Sequence, residues 1–414
     1  MHNKKPELLA PAGGWEQLKY AIRFGADAVY LATDRFGLRQ RADNFSLEEM
    51  PEVVSYAHKH GVTVHVTCNA QMHENDFDDL PRYLKALDAS GADAVLVSDL
   101  GALSCAREFA PNMQIHVSTQ ASVSNVRSAL TWHQLGASRV VCAREMSLED
   151  IARMREELPA SMEMEVFVHG AMCMAISGRC LISDYLTGRS ATNGHCTQPC
   201  RWSYTLEEEK RPGVHFPVEE DERGSYIMNA KDLNMLAHLD KLSAIGIDSV
   251  KIEGRNKKAF YVATVVNAYR QVLDGADPKL FEKELETVSH RPYGTGFFFG
   301  PAHQTPESDA YIRPSDWALE VTSCEKRGEG EYRVEGMCRN RFWEGSELEI
   351  LSPNKPVRSL CVKDLYYLPE RGLPERVDTA NRAMERYSFI APFALEEHDI
   401  ARIERAERTT KPLP

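Results

Sequence analysis

GADAVYLA (Gly25–Ala32), GADAVLVS (Gly91–Ser98) and GIDSVKIE (Gly246–Glu253) are three versions of one pattern. Each begins with a glycine that can end a helix in the left-handed conformation. Each then runs into a nearly continuous apolar strand, as expected of a strand buried on both faces. Working outward, similar apolar runs stand at Glu7–Ala10, Val62–Asn69, Gln114–Ser118, Arg139–Ala143 and Glu163–Val168. Amphipathic stretches such as WEQLKYAIRFG, SLEEMPEVVSYAHKHG and SLEDIARMREEL separate them. Ser46 with Glu49, and Ser147 with Asp150, have the spacing of helix capping boxes. Eight strands, each followed by a helix, predict a (β/α)8 TIM-type barrel over residues 1–305. A doubly wound open sheet is the alternative, but APAGGW after the first strand lacks the dinucleotide-binding spacing.

After Gly275 the pattern changes. HRPYGTGFFFG is turn-rich and aromatic, and PAHQTPESD reads as a linker. From Trp317 short alternating runs predict a small all-β barrel domain over 309–403. The segment 170–225 is too long for an ordinary βα loop, and such insertions are usually functional.

The net charge of -12 argues against indiscriminate nucleic-acid binding through bulk charge. No run approaches the roughly 20 apolar residues of a membrane span, and the N-terminus does not read as a signal peptide. The expected compartment is the cytoplasm, where thiols stay reduced. Four of the ten cysteines, Cys173, Cys180, Cys196 and Cys200, fall within Glu163–Tyr204. Clustered in a polar loop of a reducing compartment, they read as metal ligands. Their spacing leaves an Fe–S cluster and zinc both open. His169 and His195 stand near enough in sequence to serve a nucleophilic cysteine as base.

Chemistry in such a barrel sits at the C-terminal ends of the strands. There the chain places Arg35, Arg39 and Arg41, then Asn69, then Gln120, then Arg144, then His169 and the cysteines, and finally Glu253 and Arg255. That is a basic rim on an acidic protein, and it suits a carboxylate, a phosphate or an RNA backbone. Arginine holds either anion in bidentate fashion, which makes Arg35, Arg39, Arg41 and Arg255 the candidate anion holders. Asn69 and Gln120 are candidates to orient a substrate, and Glu253 to accept a proton. Tyr185 in the cysteine segment is a candidate stacking partner for a flipped base.

EVFVHGAMCMAISGRCLIS resembles the signature of the collagenase-like peptidase family U32. The APAG start, GADAVYLA, STQAS and SVKIEGR fit the same family over roughly the first 300 residues. GRSATNGHCTQPCRW, YIMNAKDL and HRPYGTGFF resemble its branch of tRNA hydroxylation proteins. That resemblance implies C5 hydroxylation of the wobble uridine in the tRNA anticodon loop, with prephenate as co-substrate. It also implies a [4Fe–4S] cluster on Cys173, Cys180, Cys196 and Cys200. Cys200 takes the fourth place because the region near YIMNAKDL holds no cysteine. A partner subunit, of this chain or another, is compatible with the sequence. The family's peptidase label gives the alternative: proteolysis with a Cys/His or metal site. HExxH and GxSxG are both absent.

Overall fold

The computed structural model describes residues 5–38, 43–171, 182–189, 197, 206–207, 215–216, 219–221, 224–226, 231–300 and 311–405. By contact the chain divides into two compact units, Met1–Phe281 with His290–Tyr311, and Glu282–Ser289 with Ile312–Pro414.

In the first unit, strands and helices alternate as the sequence predicts. They are β1 (Glu7–Pro11), α1 (Trp15–Arg23), β2 (Ala28–Leu31), α2 (Met50–Lys59), β3 (Thr63–Cys68), α3 (Leu80–Ser90) and β4 (Ala94–Val97). Then come α4 (Leu100–Phe109), β5 (Gln114–Val117), α5 (Val126–Gln134), β6 (Arg139–Val141), α6 (Leu148–Glu157) and β7 (Glu163–Gly170). After a short helix α7 (Ile182–Thr187) follow β8 (Asp232–Asn234), α8 (Leu239–Ile245), β9 (Ser249–Ile252) and α9 (Ala259–Leu273). Strands β1 to β7 pair in order, all parallel, and β9 pairs with both β1 and β7. The sheet is therefore a closed eight-stranded barrel. β8 adds an antiparallel step to the end of β7, where Asn234 faces His169 and Leu233 faces Gly170, and β10 (Tyr293–Gly294) pairs parallel with β8.

The repeated Gly-Ala/Ile-Asp pattern has a physical reason at both ends. Gly25, Gly91 and Gly246 adopt φ of 101°, 81° and 87°, which ends each helix sharply. The aspartate two residues on accepts the backbone N–H that starts a neighbouring strand. Asp27 Oδ2 takes Leu8 N at 2.8 Å, Asp93 Oδ2 takes Val64 N at 2.7 Å, and Asp248 Oδ2 takes Met164 N at 2.9 Å. These carboxylates satisfy amides at the entry of the barrel that would otherwise lack partners. The Ser46–Glu49 capping box forms in both directions, with Ser46 N to Glu49 Oε2 at 2.8 Å and Glu49 N to Ser46 Oγ at 3.3 Å.

The second unit is an antiparallel curled sheet. Its strands are β11 (Ser315–Gly328), β12 (Glu331–Cys338), β13 (Phe342–Trp343), β14 (Glu347–Leu351), β15 (Arg358–Cys361), β16 (Lys363–Leu368), β17 (Glu375–Arg376), β18 (Thr379–Ala380), β19 (Arg386–Ala391) and β20 (Ile400–Glu404). The main sheet runs β15–β14–β20–β11–β12–β19–β16–β17, and β13 pairs with β18 alone. Register shifts in β11 bend the long strand, as bulges do. The sheet wraps one apolar core that includes Leu319, Val334, Phe342, Leu348, Tyr387 and Phe389. Arg402, 1% exposed, is buried there because Glu284, Glu349 and Thr287 occupy its guanidinium.

Candidate active site at the barrel mouth

Two charged layers lie inside the barrel. The lower one gathers at the strand starts. Arg139 bridges Glu7 at 2.7 Å, Glu163 at 2.7 Å and Glu165 at 3.1 Å. Lys251 holds the other oxygen of Glu165 at 2.9 Å, and Ser249 Oγ donates to Glu7. Glu165 is wholly buried, and burial alone would raise its pKa. Lys251 and Arg139 overcome that and hold it below the ordinary value. His65 and His116 sit edge to face beside it, with ring centroids 4.9 Å apart. Ligating atoms of His65, His116 and Glu165 lie within 4.8 Å of one another, which is metal-ligand spacing. Two cations already occupy the carboxylate, so a further one would meet their repulsion. Burial also keeps both imidazoles neutral, pushing His65 down to about 4 and His116 well below its usual value.

The upper layer stands at the strand ends. Arg255, just past β9, is buried and donates to Thr67 Oγ1 at 3.1 Å and to the Leu38 carbonyl at 2.5 Å. Leu38 N donates to Asn69 Oδ1, Asn69 Nδ2 donates to Ser118 Oγ at 2.9 Å, and Ser118 Oγ also accepts from Gln120 N. One hydrogen-bonded chain thus runs from the last strand across to β5. It joins Arg255, Asn69 and the backbone of Gln120, three of the residues the sequence points to.

Glu253 lies in a second cluster of this layer. Its Oε2 accepts from Tyr30 Oη at 3.3 Å and faces Arg144 at 3.5 Å. Arg144 stacks on Phe167, 3.7 Å from the ring centroid, and donates to the Ala171 carbonyl at 2.7 Å. Ala171 stands two residues before Cys173. Gly170, at φ 106°, lets the end of β7 pass against Glu253, since a Cβ there would lie 2.6 Å from the Glu253 carbonyl. Arg144 is the residue that sequence reasoning placed on the rim without a role. Its position after β6 was the available signal.

The remaining predicted residues separate. Arg35 reaches outward to Asp79 at 2.9 Å, with both side chains half-exposed. His169 is 1% exposed and packs against Tyr261, Tyr269 and Tyr293. Burial pushes its pKa down to about 3, so the imidazole is neutral. Its Nδ1 lies 3.3 Å from Tyr269 Oη, and its Nε2 has no hydrogen-bond partner among the described residues. Tyr185 falls in α7, but its side chain is outside the described residues, as are Arg39, Arg41, His195, Cys173, Cys180, Cys196 and Cys200. The other six cysteines are free thiols scattered through both units. Burial raises the pKa of Cys68 and pushes Cys142 up to about 12, which makes those thiols inert.

The family model described as "Peptidase family U32" matches residues 13–308. A tRNA hydroxylation protein P1 of Bacillus subtilis is 40% identical over 360 residues, covering 84% of each chain. A tRNA hydroxylation protein P of Escherichia coli is 36% identical over 395 residues, covering 84% of this chain and 86% of its own. The 23S rRNA 5-hydroxycytidine C2501 synthase of Escherichia coli is 37% identical over 296 residues, covering 72% of this chain and 43% of the synthase. No helix among the described residues is long and apolar enough to cross a membrane.

Proposed function

The chain belongs to peptidase family U32, and we propose that within it this protein is an RNA-modifying enzyme that hydroxylates C5 of the wobble uridine in tRNA. The observation that carries the reading is its identity of 36–40% over most of the chain to proteins named for tRNA hydroxylation. The similar rRNA synthase is named for a 5-hydroxypyrimidine product, which fits the same chemistry at C5. The proposed co-substrate is prephenate, a dicarboxylate that suits a mouth carrying Arg144 and Arg255.

Hydroxylation replaces C5–H by C5–OH, a two-electron oxidation of the ring in which the co-substrate is the proposed oxygen donor and oxidant and the C5 hydrogen leaves as a proton. Glu253, at the end of the last strand and beside Arg144, is the proposed acceptor. Arg144 faces that carboxylate at 3.5 Å and donates to the Ala171 carbonyl. Arg255, Asn69 and Gln120 form the orienting side of the mouth. Cys173, Cys180, Cys196 and Cys200 would hold a [4Fe–4S] cluster, since four soft thiolates are its usual ligand set. Such a cluster would supply one-electron chemistry when bound. The six thiols elsewhere are dispersed through both units and gather into no ligand set among the described residues.

A peptidase reading rests on the family's name. Among the described residues no cysteine thiol is hydrogen-bonded to a histidine, and His169 is enclosed by tyrosines.

Mass spectrometry of tRNA nucleosides from a strain lacking this chain, with redundant hydroxylation routes also removed, tests the function. Loss of 5-hydroxyuridine derivatives is expected, and an unchanged nucleoside profile would overturn the reading. Anaerobic purification tests the cofactor. Bound iron and sulfide with a broad visible absorption are expected, whereas a colourless protein carrying one tight zinc contradicts the cluster.

A further inference from the structure

We propose that the curled sheet of the second unit carries its own binding surface for single-stranded RNA, built on the paired turns around β13 and β18. The inference rests on the RNA reading above. It adds a surface to which that reading assigns nothing.

Two short strands create the surface. Phe342 pairs with Ala380 and Trp343 with Thr379. Phe342 turns into the core, which forces Trp343 outward, and Trp343 is 47% exposed. Arg341 is exposed on the same turn, and Arg382 and Met384 are exposed on the partner turn. Met384, 59% exposed, has φ of 63°, a left-handed backbone that a side chain other than glycine adopts at a cost. Its N–H donates to the Cys338 carbonyl at 2.7 Å, and Arg339 Nη1 lies 3.6 Å from its sulfur. The turn is thus held in a strained form that presents Met384 to solvent. Exposed indole, exposed thioether and strained backbone coincide within a few residues.

Arg327, Arg333, Arg376, Arg386, Arg402 and Arg405 each face a carboxylate. Arg341, Arg358, Arg371 and Arg382 are arginines of the unit that form no ion pair among the described residues, and two of them, Arg341 and Arg382, stand on these turns. Arg382 instead lies over the Tyr367 ring, 4.4 Å from its centroid, and hydrogen-bonds to Tyr367. Of the nearby acids, Glu344 and Glu385 are turned to internal work, whereas Asp378 stays exposed and Glu375 attracts Arg382. Glu344 accepts the backbone N–H groups of Asp364 and Leu365, and Glu385 accepts from Tyr367 Oη.

Two guanidinium groups without an ion pair, on the turns that carry an exposed indole, match what an unpaired strand offers: phosphates for the cations and a base face for the ring. Two apolar side chains are too few for the core of a stable protein interface. A fully paired helix would not present its bases to Trp343. In a chain of net charge -12, local positive charge such as that of Arg341 and Arg382 offsets bulk repulsion of RNA.

The test is fluorescence anisotropy of the full-length protein with a labelled anticodon stem-loop RNA and a fully paired hairpin of equal length. Trp343→Ala and Arg341→Ser/Arg382→Ser are measured against wild type after thermal melting shows that they fold. Trp343→Ala should weaken stem-loop binding about tenfold or more and leave the hairpin within about twofold. Trp343→Phe should restore most of the loss. The double arginine variant should lower the slope of log affinity against log salt by about 0.7 for each phosphate released. Unchanged affinity in all three variants overturns the surface. Equal losses for stem-loop and hairpin overturn its single-strand character. A co-purifying polypeptide lost from the variants, with RNA affinity intact, replaces RNA by protein and also overturns it. If the strain lacking this chain still makes 5-hydroxyuridine, the functional reading itself fails. If the modification is lost but the variants bind normally, only this surface fails.

Discussion

Two ionic clusters share one barrel and are built in opposite ways. In the lower cluster each charge is closed off. Arg139 meets three carboxylates, and Glu165 has a cation on each oxygen. In the upper cluster the contacts are looser, with Arg144 and Glu253 3.5 Å apart and 12% and 17% exposed. Phe167 belongs to both, with the Lys251 ammonium 5.4 Å from its centroid and the Arg144 guanidinium 3.7 Å. A saturated network has nothing left with which to bind a substrate. A longer, partly exposed contact such as Arg144–Glu253 can give way to a ligand. Under the proposed function, the difference gives stability to the lower layer and chemistry to the upper one.

Breaking the lower layer should cost most. Lys251→Met leaves the wholly buried Glu165 with one cation instead of two, and a loss of about 3–5 kcal/mol in unfolding free energy is expected in urea titration. Replacing both partners, as in Glu165→Leu/Lys251→Met, should recover most of it, because no buried charge is then stranded on that side. A double variant as unstable as the single one would show that the network acts as more than a pair.

Glu253→Gln should do the reverse. Hydroxylation is expected to fall about a hundredfold or more, the range for a lost general base. Stability should stay within about 0.5 kcal/mol, since the amide keeps the shape and the Tyr30 contact. Nucleoside quantification and urea titration on the same preparations separate the two effects.

Acid should sharpen the contrast. His65, His116 and His169 are held neutral by burial, with pKa values pushed below the ordinary 6.5. The unfolded chain takes up these protons below pH 6.5 and the folded chain does not, so stability is full above that pH and falls as pH drops. The window closes near 4 for His65 and near 3 for His169. At pH 5.5 each imidazole should cost about 1.4 kcal/mol relative to neutral pH, or about 4 kcal/mol for the three. A flat stability profile between pH 7.5 and 5.5 would contradict their neutral burial.

The smallest effect is expected at Arg35. It pairs with Asp79 across half-exposed surface, so Arg35→Ala should change stability by less than about 0.5 kcal/mol.

The barrel was legible because its signal is repeated. Glycine-ended helices running into apolar strands fix strand number and order. What the aspartates of that repeat do was not legible. Asp27, Asp93 and Asp248 cap amides on neighbouring strands, and a single strand's pattern does not carry that pairing. The upper layer was legible in outline, since residues after each strand collect at one end, and Arg255, Asn69 and Gln120 do join one hydrogen-bonded chain. His169 shows the limit. Alternation along β7 would point it inward, but the register shift between Lys251 and Ile252 turns it toward the tyrosines of α9. A bulge of that kind leaves no mark in an apolar run. Arg35 fails for another reason: a loop residue after a strand can turn outward, and Asp79 draws it there.

The division between the two layers is tested most directly by complementation. A strain lacking this chain and its redundant routes receives the wild type, Glu253→Gln or Glu165→Leu/Lys251→Met, and its tRNA nucleosides are measured by mass spectrometry. Wild type and the double variant should restore 5-hydroxyuridine derivatives, and Glu253→Gln should not. Restoration by Glu253→Gln together with failure of a folded double variant would place the chemistry in the lower layer and contradict the account.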